Sequence, residues 1–493
     1  MIRYKSSKQL SLEGFELPFG GKLQETNRWV KLSKVIPWDD FAASYYKTMN
    51  ANQGRPCKDA RLVVGSLIIK HKLNLSDEET VLQIQENPYF QYFVGFSRFN
   101  DDKPPFAPSL FVEIRKRMGK DVFVEFENTI LEKIGKGRTA NKELFKNKGK
   151  LLVDATVAEQ SVKYPTDINL LNEAREVSEK LIDELYGLSD WDKKPRTYRQ
   201  KARRQYLVVA KNKRPSLKIR RRGIREQLQY LRRNLGHISD LLDYLGSSPF
   251  PLPHKLQRKY WIIQHVYGQQ KGMYDSKSKK CENRIVSISQ PHVRPIVRGK
   301  AGKKTEFGAK ISVSMADGLA FVDHIGWDAF NESKDLKQQV EEYKLRFGYY
   351  PEVVLGDQLY GSHSNRKFLK ENGIRFGGKA LGRPKKQTIE NADVIKREKQ
   401  QRLQDSRDRI PIEGKFGQGK NGYRLNYIRA RLQKTSEAWI NSIFLVMNLM
   451  VLLRELYEKI SISSFCTVFL WLKKLIVNLH EDSWKSCPQT MVV

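Results

Sequence analysis

The chain has 493 residues, enough for about two to four domains, and 40% of them are hydrophobic, so it buries a real core and is not a disordered chain. Its 89 Lys and Arg outnumber 55 Asp and Glu, a net charge of +34. Such an excess points to a polyanionic partner, nucleic acid first and an anionic membrane as the competitor, because each neutralised phosphate releases counterions.

Four cysteines, Cys57, Cys281, Cys466 and Cys487, are too far apart for a CxxC metal knuckle. A disulfide framework is unexpected at this size, so a reducing cytosol is the expected compartment. Met1-Ile2-Arg3-Tyr4-Lys5 leads into polar residues, which predicts no signal peptide. The longest apolar run, Ile443 to Leu453, is broken by Asn448. It is shorter than the roughly 20 residues of a membrane span, so a buried helix and no membrane partner are expected.

Residues 1–145 read as a helical domain. Asp59 to Leu73 carries apolar residues at helical spacing, and Asn74-Leu75 breaks it. Ser76 then caps a second helix, with Glu79 placed for a capping box, and this helix ends near Asn87-Pro88. Ser109 opens another. Two helices across a short turn suit either a DNA-reading helix-turn-helix or a domain that packs or dimerises.

Residues 146–166 change character: GKLLVDATVAEQ predicts a short buried strand ending at Asp154. Residues 167–300 read as a helical insertion. Between Trp191 and Asn234 there are 17 Lys and Arg against two acids, Asp192 and Glu226, with Tyr198, Tyr206 and Tyr230 interspersed. Charge this unbalanced predicts phosphate contact, and Arg220, Arg221 and Arg222 are its densest run.

Residues 301–460 read as α/β. TEFGAKISVSM and LAFVDHIGW form a hairpin about Ala316-Asp317-Gly318. Ser333 is predicted to cap a helix, and PEVVLGDQLYG to be a buried strand with Asp357 just past its end. A further helix and strand follow, then a basic loop, Gly382 to Lys386, and a long helix through Glu455. The apolar tail, 461–493, is expected to be an accessory helix.

The resulting order, β-β-β-α-β-α-β-α, is that of an RNase H-like α/β (α+β) core with a mixed sheet. Two strand ends and a helix face can gather carboxylates from Asp154, Asp357 and the last helix. Clustered carboxylates repel and need cations. Oxygen-only ligands suit Mg²⁺ or Mn²⁺, and two such ions about 3.5–4 Å apart can clamp the attacking and leaving oxygens of a phosphodiester. Asp405, Asp408 and Asp323 are rival acids. Histidines 71, 237 and 363 lack metal-ligand spacing and read as packing or surface residues. No GxxxxGK[ST] is present, so ATP is not expected.

Residues 30–460 resemble the DDE transposases of bacterial insertion sequences, in the group named for insertion sequences four and five. GRPCKDARLVVGSLIIKHKLNLSDEETVLQIQENPYFQYFVGF is similar to their helical N-terminal domain. LLVDATVAEQSVKYPTDINLLNEAR is similar to their first-Asp segment and VVLGDQLYGSHSNRKFL to their second. Arg409, Glu413 and Lys420 keep the spacing of their third segment, with Ser406 at the tyrosine position. The resemblance implies metal ligation by Asp154, Asp357 and Glu413, with Arg409 and Lys420 on DNA phosphates. It implies a transposase that cuts double-stranded DNA at element ends and joins the 3′-hydroxyls to target DNA, acting as a homodimer. The rival reading is a DNA-binding protein on an inactive transposase scaffold.

On a helix, Arg409, Glu413 and Lys420 share one face. Pro411 and glycines 414, 417, 419 and 422 argue against regular helix there, so Arg409 is expected to precede it.

Overall fold

A computed structural model describes residues 14–17, 21–49, 56–136, 147–246, 249–297, 305–382, 388–389 and 391–456. The first residues, the tail from 461 with Cys466 and Cys487, and most of the basic loop 382–386 lie outside the described residues.

Seven helices come first: α1 (Arg28–Val35), α2 (Trp38–Tyr46), α3 (Ala60–Leu73), α4 (Asp77–Glu86), α5 (Pro88–Phe93), α6 (Leu110–Arg117) and α7 (Lys120–Lys133). The predicted boundaries hold for local reasons. Asp59 accepts the Arg61 N–H at 2.8 Å, Asn74 ends α3 in the left-handed region at φ 57°, and the Ser76 hydroxyl accepts the Glu79 N–H at 3.0 Å. Asn87 closes α4 and caps α5, whose first residue is Pro88. Twelve of the fourteen residues of α3 are buried, so it has no face left for a DNA groove. The first turn of α4 is acidic, Asp77-Glu78-Glu79, which repels phosphate. The second helix of the pair, α4, buries only Thr80, Val81 and Ile84.

The strands are β1 (Lys150–Glu159), β2 (Arg294–Val297), β3 (Thr305–Ala316), β4 (Leu319–Gly326), β5 (Val353–Leu355) and β6 (Arg375–Phe376). β1 pairs antiparallel with β3 and parallel with β5; β5 pairs parallel with β6; β4 and β2 both pair antiparallel with β3. This mixed sheet, β4-β3-β1-β5-β6 apart from β2, has the RNase H-like arrangement expected from element order. The hairpin turn is Asp317-Gly318, both at positive φ (50° and 82°), as a two-residue turn between twisted strands requires.

Three expectations change here and a fourth further along the chain. β1 does not end at Asp154 but runs five residues further, because its second half is held along β3 from Asp154↔Val313 to Glu159↔Gly308. The insertion is not wholly helical: after α8 (Asp167–Tyr186), α9 (Arg199–Ala210), α10 (Leu217–Leu245) and α11 (His254–Asp275), its end supplies β2. Ser333 does not cap a helix. It lies inside a 3₁₀ turn, Glu332–Lys334, capped by Asn331, and α12 (Leu336–Phe347) follows.

After α12 come α13 (His363–Glu371), α14 (Ala392–Gly422) and α15 (Gln433–Leu456). Contrary to expectation, α14 continues through Pro411. Its next turn is anchored by buried Ile412 and Phe416, and by Lys415, whose Nζ donates to the Gly318 carbonyl at 3.0 Å. Tertiary packing outweighs the missing N–H. α15 alone among the described residues is long and apolar enough to cross a membrane, and 78% of its apolar window is buried within the fold. Asn448, the polar break in that run, bonds both the N–H and the carbonyl of Ala320 on β4, at 2.9 and 2.8 Å.

One hydrophobic cluster runs from Trp29 and Phe126 in the first helices through Val153, Val313 and Leu355 of the sheet to Phe444 of α15. The insertion has its own cluster, with Leu171, Leu181, Leu231, Ile238 and Ile263 among its members. Its polar centre is Arg175, buried and bonded to Asn172, Gln227 and Glu179.

Leu231→Ala should therefore destabilise the insertion by about 2–5 kcal/mol. Hydrogen exchange should show the lost protection in α8, α10 and α11 and leave the sheet unchanged. A second prediction concerns Glu127 on α7. Burial pushes its carboxyl up to about 8, only partly offset by the Arg346 guanidinium. The folded chain thus holds a proton that the unfolded chain releases near pH 4.5. Stability should fall as pH rises from about 4.5 to about 8. Glu127→Gln should flatten that slope in urea titrations between pH 5 and 8.

Candidate active site and nucleic-acid interface

The site begins at the parallel β1–β5 pair. Its register matches Leu152 with Leu355. Two residues on, Asp154 is still within β1 while Asp357 lies two residues past the end of β5; the same register carried on would set them side by side, and two-residue alternation would send both to one face of the sheet. Asp357 is still extended (φ −71°, ψ 174°), so the alternation survives past the end of β5. Gly356 lets the chain pass close here: a Cβ would lie 2.9 Å from Val153 Cγ2 and 3.1 Å from Tyr360.

Asp357 then caps a 3₁₀ turn, Gln358–Tyr360, its Oδ1 accepting the Leu359 N–H at 2.9 Å. The turn folds Tyr360 back into the core. Burial raises the Tyr360 phenol above its ordinary value, and the carboxylates of Asp154, Glu332 and Asp357 raise it further. Glu332 is itself paired with Lys310 of β3. Tyr360, Glu332 and Lys310 escaped the sequence reading, since nothing local in sequence joins them to either Asp.

The third carboxylate comes from α14, which packs on β1 and β5. Arg409 and Glu413 sit one turn apart on it, and Arg409 Nη2 donates to Glu413 Oε1 at 2.7 Å. The same guanidinium places Nη1 3.8 Å from Asp154 Oδ2. One cation thus joins the strand acid to the helix acid. Asp154 Oδ1 accepts the Ala155 N–H at 2.8 Å. Lys420, seven residues beyond Glu413 and about 10 Å further along the helix, pairs with Glu306 of β3 at 3.6 Å. Ser406 is exposed on the same helix.

The rival acids are committed elsewhere. Asp405 is buried and takes two bonds from Arg375, at 2.6 and 2.8 Å. Asp408 pairs with Lys150 at 2.6 Å. Asp323 is buried with Arg346, Ser314 and Gln339, and burial pushes its carboxyl up to about 6. His71 is buried edge-on against Trp439, and His363 is exposed at the start of α13.

Asp154, Asp357 and Glu413 offer only carboxylate oxygens, a donor set that suits a hard divalent cation. A cation already stands between two of them, the Arg409 guanidinium. Among the described residues no group of three or more His, Cys, Asp or Glu is placed to hold a metal ion. The donor chemistry therefore fits Mg²⁺ or Mn²⁺ while the three carboxylates are not drawn into one cluster.

Arg220, Arg221 and Arg222 lie far from these acids in sequence, on α10, and successive helical residues turn by about 100°. Arg221 stacks over Tyr274 at 4.3 Å and donates to its carbonyl at 3.0 Å. Arg220 and Arg221 border a cleft of about 930 Å³, together with Tyr164, Tyr274, Lys279 and Lys280. Arg222 points elsewhere and pairs with Glu226 at 3.0 Å. Within the basic stretch, Lys194 and Arg199 both pair with Asp183.

Residues 354–450, which hold Asp357, Arg409, Glu413 and Lys420, match a family model described as "Transposase DDE domain". Residues 18–117, which hold α1 to α6, match one described as "Transposase domain (DUF772)". The chain is 36% identical over 144 residues to "Uncharacterized protein ORF8 in nfe locus" of Rhizobium meliloti. That alignment covers 29% of this chain and 66% of the relative, just under two thirds of its length. No solved structure matches significantly. The N-terminal helices and the second half of the core are thus both similar to transposase domains, and together they support a DDE transposase.

Proposed function

We propose that this chain is a DNA transposase of the insertion sequence four and five type, cutting phosphodiester bonds at element ends and joining the freed 3′-hydroxyls to target DNA. The observation that carries the reading is the bridge from Glu413 through the Arg409 guanidinium to Asp154, on the strand whose parallel partner β5 ends two residues before Asp357. Asp154, Asp357 and Glu413 would hold two divalent ions, Mg²⁺ or Mn²⁺. The chemistry such ions would supply there is activation of water and neutralisation of charge on the attacked phosphate. Arg409 and Lys420 carry the cationic side of α14 and would hold DNA phosphates in line with the carboxylates. The insertion would lie along the duplex and add sequence-independent affinity. Because two ends must be held together, a homodimer on DNA is part of the proposal.

Asp154→Asn, Asp357→Asn and Glu413→Gln should each abolish Mg²⁺-dependent cleavage of end-bearing DNA, with end binding in gel shifts within a few-fold of wild type. Near-normal cutting by any one variant removes that residue from the site. The same assay separates this reading from a non-catalytic DNA-binding scaffold, on which the wild-type chain would bind but not cut.

The insertion makes its own prediction. Each phosphate contact on duplex DNA contributes about 0.9 to the slope of log K against log salt. Arg220→Ala with Arg221→Ala should lower that slope by about 1–2, equally for end and random duplexes. Arg222→Ala should change it less, because Glu226 already pairs with that guanidinium. Equal slopes for all variants would place this face of the insertion away from DNA.

A further inference from the structure

The position of Arg409 is not that of a side chain waiting in solvent for a phosphate. Its side chain is 29% exposed, and its guanidinium spans from Glu413, at 2.7 Å, to Asp154, at 3.8 Å. Both carboxylates are ones the proposed chemistry needs. A guanidinium keeps its charge at any physiological pH, so it cannot leave these acids by losing a proton. It leaves only for another anion, and the planar fork matches a phosphate as well as it matches a carboxylate.

The hold is also weak. Glu413 is 54% exposed and its bond to Arg409 is an i,i+4 helix pair, a class that solvent screens strongly. The Asp154 contact is a long one. A DNA phosphate arriving at α14 has little to overcome in drawing the guanidinium away.

We propose that Arg409 is the resting counter-cation of the acid site: it competes with a divalent ion for Asp154 and Glu413, and a DNA phosphate is what removes it. Asp154 and Glu413 then serve either the guanidinium or the divalent ions, not both together. Without DNA they are bridged by Arg409 and bind a divalent ion poorly. With DNA, Arg409 turns to the phosphate and the two carboxylates become available. Arg409 would thereby make metal loading depend on substrate, in addition to positioning the phosphate. This inference rests on the functional reading above, in that it takes Asp154 and Glu413 as metal ligands and DNA as the substrate.

The test is Mn²⁺ binding to the full chain, read by the electron paramagnetic resonance of free Mn²⁺, so that no turnover is needed. Without DNA, Arg409→Ala and Arg409→Gln should bind Mn²⁺ about tenfold more tightly than wild type. Arg409→Lys should fall between, since a point charge on a shorter stem cannot bridge both acids. With a saturating end duplex, after subtraction of duplex alone, wild-type affinity should rise toward that of Arg409→Ala, whose own affinity should not move. Arg409 is partly exposed on a long helix and alanine favours helix, so circular dichroism should show an unchanged fold.

Equal Mn²⁺ affinity for wild type and both neutral variants without DNA overturns the proposal, as does a duplex that raises the affinity of Arg409→Ala as much as that of wild type. Failure of the underlying reading looks different. There, Asp154→Asn and Glu413→Gln would leave Mn²⁺ binding unchanged whatever stands at position 409.

Discussion

Everything at the candidate site hangs on the parallel pairing of β1 with β5. An antiparallel partner for β1 on that edge would run away from Asp154. The parallel one runs in the same direction, so from the last pair, Leu152↔Leu355, Asp154 and Asp357 each lie two residues on. A parallel pair cannot close through a tight turn, and here the crossover is long: the insertion, the hairpin and α12 all intervene. The contact itself is short, three paired residues, and depends on Gly356 for its close passage against Val153 and Tyr360.

α14 is the second support. Two acids within its own sequence hold it over the strands: Asp405 with Arg375 of β6, and Asp408 with Lys150 of β1. Asp405 is buried, and removing one partner of such a pair leaves a charge without solvent, so its position is firmly held. With the helix pinned one turn earlier, Arg409 and Glu413 are delivered to the Asp154 edge. Beyond Pro411 the burial of Ile412 and Phe416 keeps the helix going to Gly422.

The insertion carries a separate hydrophobic cluster and a buried arginine network, so it can present a strongly basic face without disturbing the sheet. Its cationic residues are not one surface. Arg220 and Arg221 border the cleft shared with the β2–β3 edge, while Arg222 is turned toward Glu226.

The sequence by itself determined the elements whose causes are local. The cap at Ser76, the helix ends at Asn74 and Asn87-Pro88 and the β3–β4 hairpin with its Asp317-Gly318 turn are each written within a few neighbouring residues, and each formed as read. The element order followed, and with it the RNase H-like sheet. The spacing of Arg409 and Glu413 was legible too, because one helical turn joins them. What the tertiary structure decided needed long-range contacts. β1 runs past Asp154 because β3 pairs with it; Pro411 stays in helix because its next turn is buried; Ser333 is buried in a 3₁₀ turn whose carbonyl at that residue accepts the Asn365 amide at 2.7 Å. The bridge from Arg409 to Asp154 joins residues 255 positions apart in the chain. No periodicity or propensity acts over that distance; only the packing of α14 on the β1–β5 pair brings those charges together.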